Sequence, residues 1–237
     1  MIKKILFLSL ISLVSAVTNA QDFKKHSSIT IAVGPSIPTG EFANKDFFDE
    51  KSGLADVGGY AHVGYSYQFS RFFGAVAAVS GRIHGVNKNA LQTYALPTGS
   101  GSSLNLRTTT WRFLNLMGGI SQTVPLTTNE KLTVELREMV GIQFSNSPEI
   151  QTSGFIPGIG SLANVQKSQA VNSLAYSLGF GVNYIVASNL GLKLFGDYQG
   201  ASPAFSFTTY PADAPVEQKI KQQTSAVSLG LGVTFGF

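Results

Sequence analysis

Five charged side chains stand where charge is unexpected. Arg82, Glu135, Arg137, Lys193 and Asp197 each interrupt a segment in which every second residue is apolar, and each falls among the small or polar residues between. Successive side chains of an extended strand point to opposite faces, so all five belong to the face that the apolar residues do not occupy. Three cations and two carboxylates crowded together have two chemical uses. Aligned along an axis they make an ion path or a gate. Mutually paired they make a polar plug that satisfies charge otherwise buried alone. Arg112 joins them if its own segment carries a β-bulge.

Nucleophilic catalysis is the next chemistry to test, and it needs a serine, a histidine base and an orienting carboxylate within reach of one another. His26 lies near the start of the exported chain, outside the strands; His62 faces inward, and His84 stands at the outer rim of its strand. Neither His62 nor His84 opens a His-X-Ser motif or has an acidic neighbour in sequence. Ser80, across a hairpin from His62, is the one serine in prospect, and the reading is non-enzymatic, with no cofactor. Glu41, Asp46, Asp49, Glu50 and Asp56, set against Lys45 and Lys51, could offer oxygen ligands to a divalent cation. Their spacing matches no calcium loop, so they are read as a solvated acidic loop rather than a metal site.

The elements that must position these groups announce themselves at the end of the chain. Val227, Leu229, Leu231, Val233, Phe235 and Phe237 alternate with Ala226, Ser228, Gly230, Gly232, Thr234 and Gly236. One face is wholly apolar and the other small or polar, which is the pattern of a transmembrane β-barrel strand. The same alternation, followed backwards, predicts strands near 28–36, 59–69, 72–84, 108–122, 131–144, 172–186 and 190–199, eight in all. Short turns near 70–71, 124–130 and 187–189 alternate with long connections at 38–58, 85–107, 145–171 and 200–223. Three short periplasmic turns against four long extracellular loops is the layout of an eight-stranded, antiparallel, up-and-down transmembrane β-barrel.

Two segments break phase. The alternation that turns Leu132, Val134 and Leu136 outward also sends Glu138 toward lipid, and Trp111 and Phe113 disagree with Leu114, Leu116 and Ile120. A bulge in each strand would restore the phase; alternatively Glu138 sits near an interface or faces a partner. In the loop at 145–171, Ile150, Phe155, Ile156, Ile159, Leu162 and Val165 are too apolar for a freely solvated segment. It folds over the lumen, lies on the membrane rim or binds a partner protein. Phe205, Phe207 and Tyr210 add a second apolar loop. No helix of consequence is expected.

Composition agrees with export and a membrane. Lys3 and Lys4 precede an apolar run at 5–17 that ends near Ala20, the layout of a signal peptide over 1–20. That run, about 13 residues, is too short for the roughly 20 a spanning helix requires. The formal charge is +4, half of it supplied by those two leader lysines. Only 13% of residues are charged, against roughly 25% in an ordinary soluble domain. With so few charges and no dense basic patch, nucleic acid is excluded as a partner. The absence of cysteine removes disulfides, a lipid-modified anchor and thiolate metal ligation.

The stretch Gly34-Pro35-Ser36-Ile37-Pro38-Thr39-Gly40, the hairpin entry Tyr65-Ser66-Tyr67-Gln68-Phe69 and the terminus Leu231-Gly232-Val233-Thr234-Phe235-Gly236-Phe237 resemble the small outer-membrane β-barrel families. These include OmpA-, OmpX- and OmpW-like barrels and the porin-family barrels of Bacteroidetes-type envelopes. The resemblance implies residence in a Gram-negative outer membrane, contact with outer-membrane lipid and lipopolysaccharide, and a monomer. It also implies assembly by the barrel-assembly machinery through Val233, Phe235 and Phe237. A structural or interaction role in the envelope is expected. The alternatives are a narrow porin-like channel and an accessory barrel of a secretion or surface-assembly complex of PorT-like kind.

Overall fold

The computed structural model describes residues 26–46, 48–95, 103–156, 160–209 and 216–237. The predicted leader at 1–20 lies outside these. Eight strands close a ring: β1 (His26–Pro38), β2 (Gly58–Gln68), β3 (Phe73–His84), β5 (Trp111–Pro125), β6 (Leu132–Asn146), β9 (Ala170–Ala187), β10 (Leu190–Ala201) and β13 (Ala226–Gly236). Each pairs antiparallel with its sequence neighbour in the ring, and β1 closes on β13 from Ser28↔Gly236 to Pro38↔Ala226. Closure leaves no unpaired edge, so the backbone polar groups of the wall are satisfied without water. Where the β1–β13 pairing lapses, Gly34 is obligatory, because a Cβ there would collide with the Leu229 carbonyl.

The wall is inside-out relative to a soluble protein. Leu174, Leu231 and Val33 are 84%, 66% and 63% exposed, whereas Arg82, Arg137, Gln143 and Asp197 are almost completely buried. An apolar belt around a polar interior carries a large penalty in water and none in hydrocarbon. The first principle of this fold is therefore that lipid solvates its outer face.

Neither out-of-phase segment contains a bulge. Pairing runs unbroken from Phe73↔Gln122 to His84↔Trp111 between β3 and β5, and from Arg112↔Asn146 to Pro125↔Thr133 between β5 and β6. Trp111 and Phe113 turn inward, where they are 6% and 4% exposed, while Leu114 and Leu116 face lipid. Arg112 accordingly faces outward and does not join the interior charges. Glu138 also stays on the outer face, near the middle of β6, between Ile120 and Leu178. The bulge expected in β5 is unnecessary because the outer end of the interior is apolar and accepts Trp111 and Phe113.

The long connections have more structure than their composition suggested. Helix α1 (Lys88–Ala95) starts from Asn87, whose side-chain oxygen accepts the Ala90 N–H at 2.9 Å in an N-cap. Strand β4 (Ser103–Thr108) joins the hairpin of β7 (Ile150–Ile156) and β8 (Gly160–Gln166) in a three-stranded sheet. Strands β11 (Ala204–Thr209) and β12 (Val216–Lys221) form a second hairpin. The apolar segment at 145–171 thus contributes strands β7 and β8, and Phe155 and Val165 are exposed on them. Ile159 and Tyr210 lie outside the described residues.

Candidate functional site

The lumen is built in tiers, and eight strands leave room only for side chains. The lowest tier is a polar vestibule of about 590 Å³ at the short-turn rim, lined by Ser28, Ser66, Thr123, Thr133 and Asn183 and ending at Glu135 and Lys193. His26, expected outside the barrel, is the first residue of β1, pairs with Gln68 and lines this vestibule.

Above it lies a belt of charge. Lys193 Nζ bonds Glu135 Oε2, and Arg137 Nη2 donates to Asp197 Oδ1 at 2.8 Å; all four residues are buried. Asp197 Oδ2 accepts the Tyr60 hydroxyl at 2.9 Å, and that hydroxyl also meets His62 Nδ1 at 3.1 Å. The Arg137 guanidinium covers the Phe195 ring at 4.7 Å from its centroid. Small residues on the two strands flanking β10 make this possible. A Cβ at Gly179 would strike Asp197, one at Gly230 would strike the Phe195 ring, and one at Gly181 would crowd Lys193 at 3.3 Å. The small residues of β9 and β13 are therefore covered by side chains of β10, the strand between them, and of β6 rather than left as a bore.

The next tier is amide and hydroxyl. Ser80 Oγ lies 3.3 Å from Asn115 Nδ2 and 3.4 Å from Gln199 Nε2, and Ser36 pairs with Ser228 at 2.9 Å. Arg82 belongs to this tier rather than to the ion pairs. Its Nη2 donates to Gln143 Oε1 at 2.8 Å and to the Thr224 carbonyl at 3.2 Å, while its guanidinium lies 5.1 Å from the Phe113 centroid. Among the described residues its Nε and Nη1 have no partner. Mutual pairing of the interior charges thus holds for four of the five sequence-derived residues and not for Arg82.

An apolar stopper closes the outer mouth. Phe42, Leu54, Val86, Leu91 and Phe205 come from the long connections and pack on Trp111 and Phe113 of β5. Phe42 is completely buried and meets His84, Trp111 and Phe113 edge-on at centroid distances of 5.1, 5.6 and 5.5 Å. The Trp111 indole donates to the Gly53 carbonyl at 3.0 Å, tying the stopper to the first long loop. His84, expected at the rim, is buried beneath that loop with Nδ1 at 3.0 Å from the Asp56 carbonyl.

The acidic residues of that loop serve its own turns. Asp49 accepts from Asn44 Nδ2 and the Lys51 N–H, Asp46 from the Phe48 N–H, and Asp56 from Asn87 Nδ2. Among the described residues no three His, Cys, Asp or Glu side chains converge as a metal site would require. His62 Nε2 has no hydrogen-bond partner among the described residues, so Ser80 and His62 are not joined. A carboxylate does come within one residue of His62, through Tyr60, and sequence adjacency could not reveal it.

A closed ring of eight antiparallel strands with lipid-facing apolar residues and a charged, side-chain-filled interior defines the class of small outer-membrane β-barrels. No protein-family model matches the chain, and no curated protein does. Solved structures do: OprG from Pseudomonas aeruginosa aligns with 12% identity over 92% of this chain and 98% of that one, at a TM-score of 0.50. Neisserial surface protein A (11% identity, 90% and 97% covered, TM-score 0.46) and Ail of Yersinia pestis (14% identity, 91% and 100% covered, TM-score 0.43) also align with it. At these identities the likeness is one of fold.

Proposed function

We propose that this chain is an integral outer-membrane barrel with a structural or interaction role in the envelope, non-enzymatic, whose long loops form an ordered surface platform. The observation that carries the reading is the stopper. Phe42, Trp111 and Phe205 fill the outer mouth, and the paired charges fill the lumen beneath it. Material invested in closing a mouth and building two extra sheets above it favours presentation over passage. Exposed Phe155 and Val165 on the β7–β8 hairpin offer apolar contact area to a protein partner. Ser80, engaged by amides and separate from His62, supports the non-enzymatic reading.

Planar-bilayer recording of the purified protein, with crosslinking through the loops in intact cells, tests this. The expected result is an absence of steady, salt-dependent current steps, together with a discrete protein adduct on the loops. Steady steps would instead favour the channel reading, for which the vestibule ending at Glu135 and Lys193 is the specific support. An adduct with secretion or surface-assembly components would identify the accessory-barrel role. Fractionation with the outer membrane is expected in either case.

A further inference from the structure

Of the Lys, Arg, Asp and Glu residues on the eight ring strands, five face the lumen and only Arg112 and Glu138 face outward. Arg112 is the second residue of β5, at its long-loop end. Glu138 stands in the middle of β6, with Leu132, Val134 and Leu136 below it on the same face and Val140, Ile142 and Phe144 above. No cation pairs with it among the described residues. Beside it the wall is bare. Ala75 pairs with Ile120, the neighbour of Glu138, and Ala77 pairs with Gly118, the neighbour of Val140. Ala75, Ala77 and Gly118 are all exposed. The wall itself does not require a glycine at 118: a Cβ there would meet only the Val76 carbonyl oxygen, at 3.9 Å, and the backbone is not left-handed. At Gly119, by contrast, a Cβ would collide with the Glu138 carbonyl.

We infer that this strip of β3, β5 and β6 docks a membrane-spanning segment of a different envelope protein, one that carries a Lys or Arg at mid-depth to pair with Glu138. A carboxylate facing hydrocarbon is unfavourable alone, and a cation brought beside it there attracts it with little screening by water. The bare floor lets the partner's backbone approach closely, which is how spanning segments associate where lipid removes the hydrophobic drive. A second copy of this chain does not fit. Copies inserted alike share one orientation, and the only outward cation of the ring, Arg112, lies eight residues up β5 from Ile120, the partner of Glu138. That offset is about 26 Å along the strand. The inference rests on the membrane reading above and is independent of the loop platform, since the contact is made in the wall.

The test is photocrosslinking in intact cells that make the full chain, with benzoylphenylalanine placed at Ala77, or at Leu231 on β13, the strand opposite β5 in the ring, as a control. Glu138→Gln removes the charge and keeps the shape. Gly118→Leu fills the floor without disturbing strand pairing. Heat-modified gel mobility verifies that every variant is folded. The expected result is one protein adduct at Ala77 and none at Leu231, with the crosslinked peptide drawn from an apolar spanning segment that contains Lys or Arg. Its yield should fall about tenfold in Glu138→Gln and in Gly118→Leu. Glu138→Lys should abolish it, and replacing the partner's cation by Glu in that background should restore it. An adduct of two copies of this chain, a captured segment without a cation, or lipid adducts alone would overturn the inference. So would a yield indifferent to Glu138→Gln, whereas indifference to Gly118→Leu overturns the role of the floor. Fractionation of the same cells reports localisation separately, so a chain found in the outer membrane without a wall adduct sinks the docking surface and leaves the membrane reading intact.

Discussion

The Tyr60 hydroxyl donates to Asp197 from the far side of the lumen, across 2.9 Å. Their strands, β2 and β10, are separated in the ring by β1 and β13, so the bond is a transverse brace and not a ladder contact. Arg137 satisfies the other Asp197 oxygen at 2.8 Å. Tyr60 has a single proton, already given to Asp197, so its contact with His62 at 3.1 Å requires His62 Nδ1 to donate. A neutral His62 therefore carries its proton on Nδ1, which leaves Nε2 the bare acceptor that the structure contains.

Glu135→Ala strands Lys193 as a lone cation in the belt. Removing one partner of a buried pair costs about 3–5 kcal/mol, whereas replacing both by apolar residues is close to neutral. Glu135→Ala should accordingly lower the stability measured by urea unfolding in micelles, and Glu135→Leu combined with Lys193→Met should restore most of it. Bilayer current should be unchanged throughout. A larger effect on current than on stability would make the pair a gate.

Phe42→Ala opens the stopper without opening the wall. The lost packing, about 3–5 kcal/mol for a buried phenylalanine, falls on the first long loop, because Phe42 belongs to that loop. Trp111 is the only tryptophan of the chain and lies against Phe42. Its emission should shift to the red, and trypsin should cut after Lys45 or Lys51, while heat-modified gel mobility stays that of a folded barrel. Uncut loops would show that the rest of the stopper suffices.

These tests bear unequally on what the chain disclosed in advance. The wall was legible, because lipid outside and polarity inside impose a strict period of two, and that period also put His62, Arg137 and Asp197 on one side. Gln143 shares the parity of Glu135 and Arg137 and was within reach of the same argument. The upper lumen was not legible. Trp111 and Phe113 were out of phase only on the premise of a uniformly polar interior, and the residues that make it apolar, Phe42 and Phe205, arrive from loops. Parity places Arg82 among the five interior charges, but it cannot show that Thr224 and Gln143 hold it, because Thr224 lies in a connection without periodicity.

Glu138→Leu should stabilise the barrel. The carboxylate sits on the lipid face near mid-height, beside Ile120 and Leu178, with no ion-pair partner among the described residues. Glutamate costs less there than the few kcal/mol of a mid-bilayer arginine or lysine, and a gain of about 1–2 kcal/mol is expected on its removal. Unfolding from lipid vesicles measures it. A loss in native membranes, with a gain in pure lipid, would mean that a cationic protein partner covers this strip.

The seam between β1 and β13 sets the order in which this molecule can come into being. Ile29 must find Phe235 at nearly the opposite end of the chain, and Ser27 must bond Phe237, before the hoop is complete. Contacts so distant in sequence form late. Until the last strand is delivered, two raw flanks bristle with unmet amide groups, an invitation to stray pairing. The stopper, in turn, can be set only once the hoop it corks exists.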